Sequence, residues 1–203
     1  MRLRGWRETV AGAAGAIEIA VDAPEGEPRA VALVAHPHPL YGGSLDNKVV
    51  YTLARTFAEL GYVSYRPNFR GVGASAGRYD EGRGEVEDLA AVLEHARRAH
   101  GAAAPVLAGF SFGAVMQARL AARVVPERMV LVGIAVNHFE APAVPPDTLL
   151  VHGEQDRTVP LARVLDWARP QDLPVVVLPG ADHFFHRRLA LLRAVVRYNW
   201  GVR

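Results

Sequence analysis

A serine between two glycines is the residue of this chain best suited to nucleophilic chemistry. Ser111 is the centre of the pentapeptide Gly-Phe-Ser-Phe-Gly at 109–113, which lies between two apolar runs. A strand that ends in such a pentapeptide and continues into a helix makes a sharp turn, which lifts the serine hydroxyl above the sheet. Glycine suits the flanking positions because neighbouring segments come too close there for side chains. The stretch therefore predicts a nucleophilic serine at a helix N-terminus.

The same pattern occurs a second time, around Ser75, but its setting differs. No strand-like run leads directly into Gly-Ala-Ser-Ala-Gly at 73–77, and Arg-Tyr-Asp-Glu-Gly-Arg-Gly follows at 78–84, where an apolar helix would have to begin. Glycine-rich, charged stretches of this kind are typical of loops. We therefore interpret Ser75 as a loop residue and Ser111 as the nucleophile.

A serine hydroxyl needs a base that accepts its proton and a third group that orients the base. Asp156 and His183 are placed to serve, because each follows a strand-like apolar run, at 148–152 and at 175–178, by a few positions. Asp182 competes with Asp156 as the orienting acid. Because adjacent side chains diverge, an acid next to the base is poorly aimed at it, and Asp156 is the preferred interpretation.

Apolar runs and helical periodicities alternate along the chain and position these residues. Short apolar runs predict buried strands, and apolar residues spaced at three and four predict helices. The predicted strands are 30–35, 62–66, 106–110, 129–136, 148–152 and 175–178, and the predicted helices are 47–60, 85–100, 112–124, 161–168 and 185–198. This alternation predicts one α/β domain over 1–203, with a mostly parallel, doubly wound sheet and helices on both faces. Residues 1–27 are predicted to add antiparallel strands at a sheet edge.

The composition excludes several classes of protein. The 203 residues include no cysteine, which excludes disulfides, thiolate metal sites and a cysteine nucleophile. The formal net charge is +2 and the arginines are scattered without interleaved aromatic residues, so no nucleic-acid partner is expected. No apolar run is long enough to span a bilayer, and Glu18 interrupts the only stretch that resembles a signal peptide. A cytoplasmic protein with no membrane partner is expected, and its oligomeric state is left open.

Two segments connect the chain to a known family. His-Pro-His-Pro-Leu-Tyr-Gly-Gly at 36–43 and Asn-Phe-Arg-Gly-Val-Gly-Ala-Ser at 68–75 are shared with small bacterial proteins known only as predicted hydrolases. With the order serine, acid, base, they make the chain resemble an α/β-hydrolase and, more distantly, dienelactone-hydrolase-like enzymes. The resemblance runs from about residue 28 to 200. Where many relatives insert a lid, only residues 137–147 separate the predicted strands, so no lid domain is expected.

The resemblance also implies which groups hold an oxyanion. In this family one N–H comes from the residue after the serine, here Phe112, and the second comes from the loop after an early strand. The usual His-Gly is replaced here by His-Pro-His-Pro at 36–39, and proline has no N–H to donate. His38 is therefore the expected second donor, with Leu40 next and Tyr41 third. Tyr41 is also expected to line an acyl pocket that binds substrate. Phe112 could line it as well, but packing around the turn is the preferred interpretation for Phe110, Phe112 and Phe184.

These features predict a serine hydrolase that cleaves small ester or thioester substrates through an acyl-enzyme, with no cofactor and no metal ion. Acyltransferase, peptidase or perhydrolase chemistry could use the same residues, and the fold could also serve a non-catalytic binding protein. The histidines at 36, 38, 183 and 186 could suggest a metal site, but His-Pro-His in a proline-rich loop has simpler explanations. His36 and His152 are expected to form hydrogen bonds to backbone near the strand ends. Arg70 and Asp80 are expected to pair within the loop 68–84. A site without a lid predicts a preference for short acyl chains.

Overall fold

The computed structural model describes residues 2–200, and within them eight strands form one sheet. The strands are β1 (Leu3–Gly12), β2 (Gly15–Pro24), β3 (Val31–Ala35), β4 (Val63–Pro67), β5 (Val106–Phe110), β6 (Arg128–Val132), β7 (Leu149–Gly153) and β8 (Val175–Leu178). Their order across the sheet is β1-β2-β4-β3-β5-β6-β7-β8. The neighbours from β4 to β8 are parallel, whereas the pairs β1/β2 and β2/β4 are antiparallel. This confirms the predicted mostly parallel α/β sheet with antiparallel strands at its N-terminal edge.

Helices cover both faces of this sheet. They are α1 (Lys48–Glu59), α2 (Arg83–His100), α3 (Phe112–Ala121), α4 (Leu161–Ala168) and α5 (Leu189–Trp200). One buried cluster joins the sheet to α2, α3 and α4 through side chains such as Leu89 and Val115. A second cluster joins the other face to α1 and α5 through side chains such as Phe57 and Val196. Because both faces are covered, β3, β4, β5 and β7 are buried along their whole length.

Local sequence signals explain where these elements begin and turn. The Asn47 side chain caps α1 by accepting the N–H groups of Val49 and Val50 at 2.9 and 3.4 Å. The two-residue turn at 13–14 leads into β2 at Gly15, whose φ of 116° favours glycine. The hairpin and the α1 helix are thus both specified by residues at their own ends.

The β6 strand is shorter than the sequence predicted. It ends at Val132 and not at residue 136, because Gly133 has a φ of 52° and turns the chain out of the sheet. The following backbone then crosses the β5–α3 turn, where the Ala135 N–H donates to the Ser111 carbonyl at 3.4 Å. The prediction extended an apolar run whose last residues leave the sheet for this turn.

Two helix ends differ from the predictions by three residues or more. The closing helix begins at Leu189 and not at Phe185, since Phe185 and Arg187 have φ values of 53° and 59° that a helix does not allow. The α3 helix ends at Ala121 and not at Val124, shortly before a proline that disfavours continuation. Apolar periodicity continues through both ends, so it cannot mark them.

The chain between β6 and β7 inserts no helix over the sheet. Residues 133–148 are turns and irregular backbone, which confirms the prediction that no lid domain is present. Among residues 2–200, none of the helices combines the length and the apolar character that crossing a membrane requires. The predicted domain bounds, 1–203, include residue 1 and residues 201–203, which lie outside the described residues.

Candidate active site

Ser111 lies in the turn between β5 and α3, in a strained conformation. Its φ of 55° and ψ of −117° fall outside the regions that residues other than glycine ordinarily occupy. Backbone bonds hold the turn: the Ser111 N–H donates to the Val132 carbonyl at 2.9 Å, and the Ala114 N–H donates to the Ser111 carbonyl at 3.1 Å. A strained backbone conformation of this kind persists only where surrounding bonds hold it in place. Here it fixes the direction of the Ser111 side chain.

Gly109 and Gly113 are required by close backbone approach and not by φ. A β-carbon at Gly109 would lie 2.5 Å from the Gly113 carbonyl carbon, and one at Gly113 would lie 2.4 Å from the Ala35 carbonyl oxygen. The start of α3 therefore packs directly against the end of β3. This contact brings the serine next to the loop that follows β3.

The structure brings Ser111, His183 and Asp156 together from the ends of three parallel strands. His183 Nε2 lies 3.0 Å from Ser111 Oγ, and His183 Nδ1 lies 2.6 Å from Asp156 Oδ2. Since a carboxylate only accepts, Nδ1 carries the proton and Nε2 faces the hydroxyl as the acceptor. The side chains of His183 and Asp156 are 6% and 0% exposed, so water screens this pair poorly.

The loop after β7 aims the carboxylate of Asp156. Asp156 Oδ1 accepts the N–H groups of Thr158 and Val159 at 2.9 and 2.7 Å, which leaves Oδ2 for His183. A fully buried His152 supports the same loop, because its Nε2 lies 2.9 Å from the Val159 carbonyl and 3.5 Å from Asp156 Oδ2. Burial lowers the pKa of His152, so that it remains a neutral donor to this loop. The sequence predicted its backbone bond but not its approach to the acid.

Asp182 takes a different partner. Its carboxylate binds His186: Oδ2 lies 2.5 Å from His186 Nδ1, and Oδ1 accepts the His186 backbone N–H at 3.0 Å. Both residues are exposed to solvent to a large extent, with side-chain exposures of 46% for Asp182 and 59% for His186. The structure thus places Asp156, and not Asp182, against His183. Among the described residues, no group of three or more histidine or acidic side chains is arranged to hold a metal ion.

His36 ties the loop after β3 to the loop after β4. Its Nε2 accepts the Phe69 N–H at 2.9 Å, so the ring proton sits on Nδ1, 2.6 Å from the Pro37 carbonyl. The ring is fully buried, and burial lowers its pKa to about 4, which keeps it neutral. The bonds to backbone that the sequence suggested for this histidine are present.

The backbone N–H groups of His38, Leu40 and Tyr41 were the candidates for the second oxyanion donor, and they differ in whether they already have a hydrogen-bond partner. The Leu40 N–H donates to His38 Nδ1 at 3.2 Å, and the Tyr41 N–H donates to the His38 carbonyl at 3.1 Å. Within residues 2–200, neither the His38 N–H nor the Phe112 N–H donates to another residue. Phe112 is the first residue of α3, where the helix dipole is positive. The two free donors are therefore at His38 and Phe112.

A cavity of about 420 Å³ opens beside the serine. Its lining residues carry no formal charge apart from titratable histidines: His38, Tyr41, Ser111, Ala135, His138, Phe139 and Thr158. The His38 ring packs at 4.8 Å from the Tyr41 ring and 5.6 Å from the Phe139 ring. Burial, and then the nearby His138, lower the pKa of His38, which favours its neutral form. The cavity therefore suits an uncharged group.

The sequence reasoning missed the wall of this cavity between residues 135 and 139. These residues were assigned partly to β6, and the signal that could have exposed them is Gly133, which ends the strand early. A larger depression of about 650 Å³ lies at the start of α2 and is lined by Arg70 and other charged residues, but it does not reach the serine. Arg70 there forms the predicted ion pair with Asp80, at 4.0 Å, and also binds Asp88 more closely, by two bonds of 2.8 Å.

The chain matches the family model described as the alpha/beta hydrolase fold over residues 38–145. It is also 35% identical, over 179 residues, to an uncharacterized protein of Rickettsia prowazekii, an alignment that covers 76% of this chain and 71% of the relative. Both matches include the strand and helix that flank the serine.

Solved structures share the whole architecture. An α/β serine hydrolase without a lid from Xanthomonas campestris superposes with a TM-score of 0.92 and 36% identity, covering 97% of this chain and 93% of that one. An α-β serine hydrolase homologue from Coxiella burnetii superposes with a TM-score of 0.87 and 39% identity, covering 96% of each chain. These likenesses extend over almost the full length of the chain.

Proposed function

The chain belongs to the alpha/beta hydrolase fold family, and from this premise we propose that it is a serine hydrolase that cleaves small esters or thioesters. The α/β serine hydrolase fold supports general hydrolase activity. The observation that carries the finer proposal is the position of His183, 3.0 Å from Ser111 Oγ and 2.6 Å from Asp156 Oδ2. A base held in this way turns a weak hydroxyl into a nucleophile.

The proposed reaction proceeds through an acyl-enzyme. Ser111 Oγ attacks the carbonyl carbon while His183 Nε2 accepts the hydroxyl proton, and the same nitrogen returns a proton to the leaving alcohol or thiol. Asp156 keeps the proton on Nδ1 and stabilises the imidazolium that forms between these steps. Water, activated by His183, then attacks the acyl-enzyme and releases the acid.

The N–H groups of Phe112 and His38 are the proposed donors to the oxyanion. Both lack a partner among the described residues, and the first lies at the positive end of α3. Donors that are already oriented stabilise the charge that develops on the carbonyl oxygen without reorganisation. His38 is preferred to Leu40 because the Leu40 N–H already binds the His38 ring.

The cavity beside the serine is the proposed acyl site, with Tyr41 at its rim. Tyr41 is 87% exposed, whereas Phe139 forms a partly buried wall. A cavity of about 420 Å³ is within the range of small-molecule sites, and its uncharged walls favour compact, uncharged acyl groups. No lid encloses a long chain, so we expect short acyl groups to react faster.

A fluorophosphonate probe tests the nucleophile directly. We expect covalent labelling of the wild type at Ser111, no labelling of Ser111→Ala, and full labelling of the matched variant Ser75→Ala. Mass spectrometry of the digested protein locates the label. An unlabelled wild type, or equal labelling of Ser111→Ala, would contradict the proposal.

A series of esters and thioesters of graded acyl length tests the substrate class. We expect kcat/KM to be highest for short acyl chains and to fall as the chain outgrows the cavity. A marked preference for long, micellar substrates would contradict the proposed open, compact site.

A further inference from the structure

β1 is an edge strand whose outer side is unpaired among the described residues. It is ten residues long and pairs only with β2, from Leu3 opposite Pro24 to Gly12 opposite Gly15. Most of its side chains are exposed, including Trp6 at 41%. Long edge strands are templates for further strand pairing unless something covers or blocks them.

The outward backbone groups of β1 belong to its odd-numbered residues. On β2, Ala16 and Glu18 turn their carbonyls away from β1, since these accept N–H groups at 2.8 Å from Ala76 and Asn68. Antiparallel partners alternate, so the odd residues of β2 bind the even residues of β1 in the observed register. Residues 3, 5, 7, 9 and 11 of β1 therefore present free N–H and C=O groups at the edge of the sheet.

The side chains of the even residues lie together on the face covered by α2. The Trp6 indole N–H donates to Glu8 Oε1 at 3.2 Å, and that carboxylate lies 3.8 Å from His95 of α2. Arg4 lies on the same face, and no ion pair or hydrogen bond joins its side chain to another described residue. Positive, aromatic and negative side chains thus follow one another along this face of the edge.

We propose that β1 binds β1 of a second copy of this chain, antiparallel, about a two-fold axis at Trp6. Gly5 and Arg7 of each copy would exchange backbone hydrogen bonds. Arg4 would then lie opposite Glu8 of the second copy, and the two Trp6 side chains would face each other. These would be non-hydrogen-bonded pairs, in which opposed side chains are closest. Cross-strand pairs of opposite charge and of aromatic rings stabilise a sheet.

The charges favour this register over its neighbours. Only shifts that keep odd residues opposite odd residues preserve the outward hydrogen bonds. Moving the axis to Arg7 sets two arginines against each other, and moving it to Glu8 sets two carboxylates against each other. Moving it to Gly5 leaves only residues 3–7 of each strand paired. The axis at Trp6 pairs residues 3–9 without opposing like charges.

The proposed dimer leaves the reaction site open. β1 lies at one end of the strand order, whereas the serine, base and acid follow β5, β8 and β7 in the other half. Two eight-stranded sheets would join into one continuous sheet with a site in each copy. The inference does not rest on the proposed function, because the edge shares none of its residues with the site.

Sedimentation velocity over a wide protein concentration range tests the dimer by charge reversal. We expect a dimer of the wild type, and a Kd raised about 10-fold or more in Arg4→Glu and in Glu8→Arg, because each change opposes like charges at two symmetric pairs. The double variant Arg4→Glu/Glu8→Arg restores opposite charges, so its Kd should return toward that of the wild type. Circular dichroism establishes that each variant is folded.

Two results would overturn the proposal. One is a wild type that stays monomeric across the concentration range, and the other is a dimer whose Kd neither single reversal changes. A double variant no tighter than the single ones would exclude the pairing of Arg4 with Glu8. Esterase activity of the folded single variants is expected to stay within about 2-fold of the wild type, as for surface changes remote from a site.

Discussion

The two Gly-x-Ser-x-Gly segments of this chain have the same pattern and opposite structural roles. Ser111 sits strained between a strand and a helix, with its hydroxyl 3.0 Å from a histidine. Ser75 lies within a loop and uses its hydroxyl structurally, accepting the Glu18 N–H at 2.9 Å and donating to the Asn68 carbonyl at 2.8 Å. The Ser111 hydroxyl is available to react, whereas the Ser75 hydroxyl already accepts one hydrogen bond from backbone and donates another to it.

The glycines of the two segments also differ in purpose. Gly109 and Gly113 are needed for the close approach of β3, β5 and α3. Gly73 and Gly77 are needed because their φ values are 57° and 82°, which favour residues without a β-carbon. A pattern of residue types therefore does not define a nucleophile, and the elements on either side of the pattern do.

The largest expected contrast is between the two serines. Ser111→Ala removes the proposed nucleophile, and we expect kcat/KM for the preferred ester to fall by about 10⁴-fold or more. Ser75→Ala should retain activity but lose about 2 kcal/mol of unfolding free energy, since two buried backbone groups lose their partner. Initial rates and urea denaturation measure the two effects. An inactive but fully stable Ser75→Ala would reverse the assignment.

Asp156 and Asp182 are the two candidates for the acid that orients His183, and substituting each of them gives the next contrast. Asp156→Asn should lower kcat by about 10³- to 10⁴-fold, because an amide favours the wrong tautomer of His183. Asp182→Asn changes a solvent-exposed partner of His186 and should leave kcat within about 2-fold. Steady-state kinetics on both variants decide between them, and a larger loss at Asp182 would assign it as the orienting acid.

Alanine substitutions at Gly113 and Gly77 should distinguish a glycine that is required by close backbone approach from one that is required by its positive φ. Gly113→Ala forces a β-carbon to 2.4 Å from backbone oxygen, and we expect a loss of about 3 kcal/mol or more of stability together with loss of activity. Gly77→Ala meets a positive φ and the Ala14 side chain, so about 1–2 kcal/mol is expected, with activity retained. Thermal unfolding and initial rates provide both readouts, and equal losses at the two sites would remove the distinction.

The pH dependence of stability tests the bond that joins the two loops. Burial lowers the pKa of His36 from 6.5 to about 4, so the unfolded chain binds a proton at this residue before the native one does. Its contribution is fully present above pH 6.5 and declines as the pH falls toward 4, by a total of about 3 kcal/mol. In His36→Gln this part of the pH dependence should be missing from the urea-derived unfolding free energy. An unchanged pH profile in the variant would show that His36 titrates normally.

The fold and the meeting of three side chains at one end of the sheet were accessible from the sequence for a physical reason. The carboxyl ends of parallel strands lie on the same side of a sheet. Ser111, Asp156 and His183 meet there because each follows shortly after an apolar run that forms such a strand. The strands β5 and β8 and the helix α4 have the predicted bounds, because turn residues or prolines limit their apolar runs. Here local signals and tertiary structure agree.

The parts that escaped prediction depend on distant contacts. The cavity wall at Phe139 follows from the early exit of β6, which apolar character alone does not reveal. The closer partner of Arg70, Asp88, was not predicted, because this pair depends on how α2 packs against the loop. The engagement of the Leu40 N–H depends on the orientation of the His38 ring, which sequence spacing does not set.

The distribution of the three site residues over β5, β7 and β8 has a consequence for how the protein matures. His183 follows the last strand of the sheet, so its ring can meet Ser111 only after β7 and β8 have joined β5 and β6. Parallel pairings between distant segments form late and slowly. Chemical reactivity at Ser111 should therefore emerge only when the C-terminal half of the chain has been built onto the sheet, and during synthesis the nascent chain stays inert until its last strands have left the ribosome.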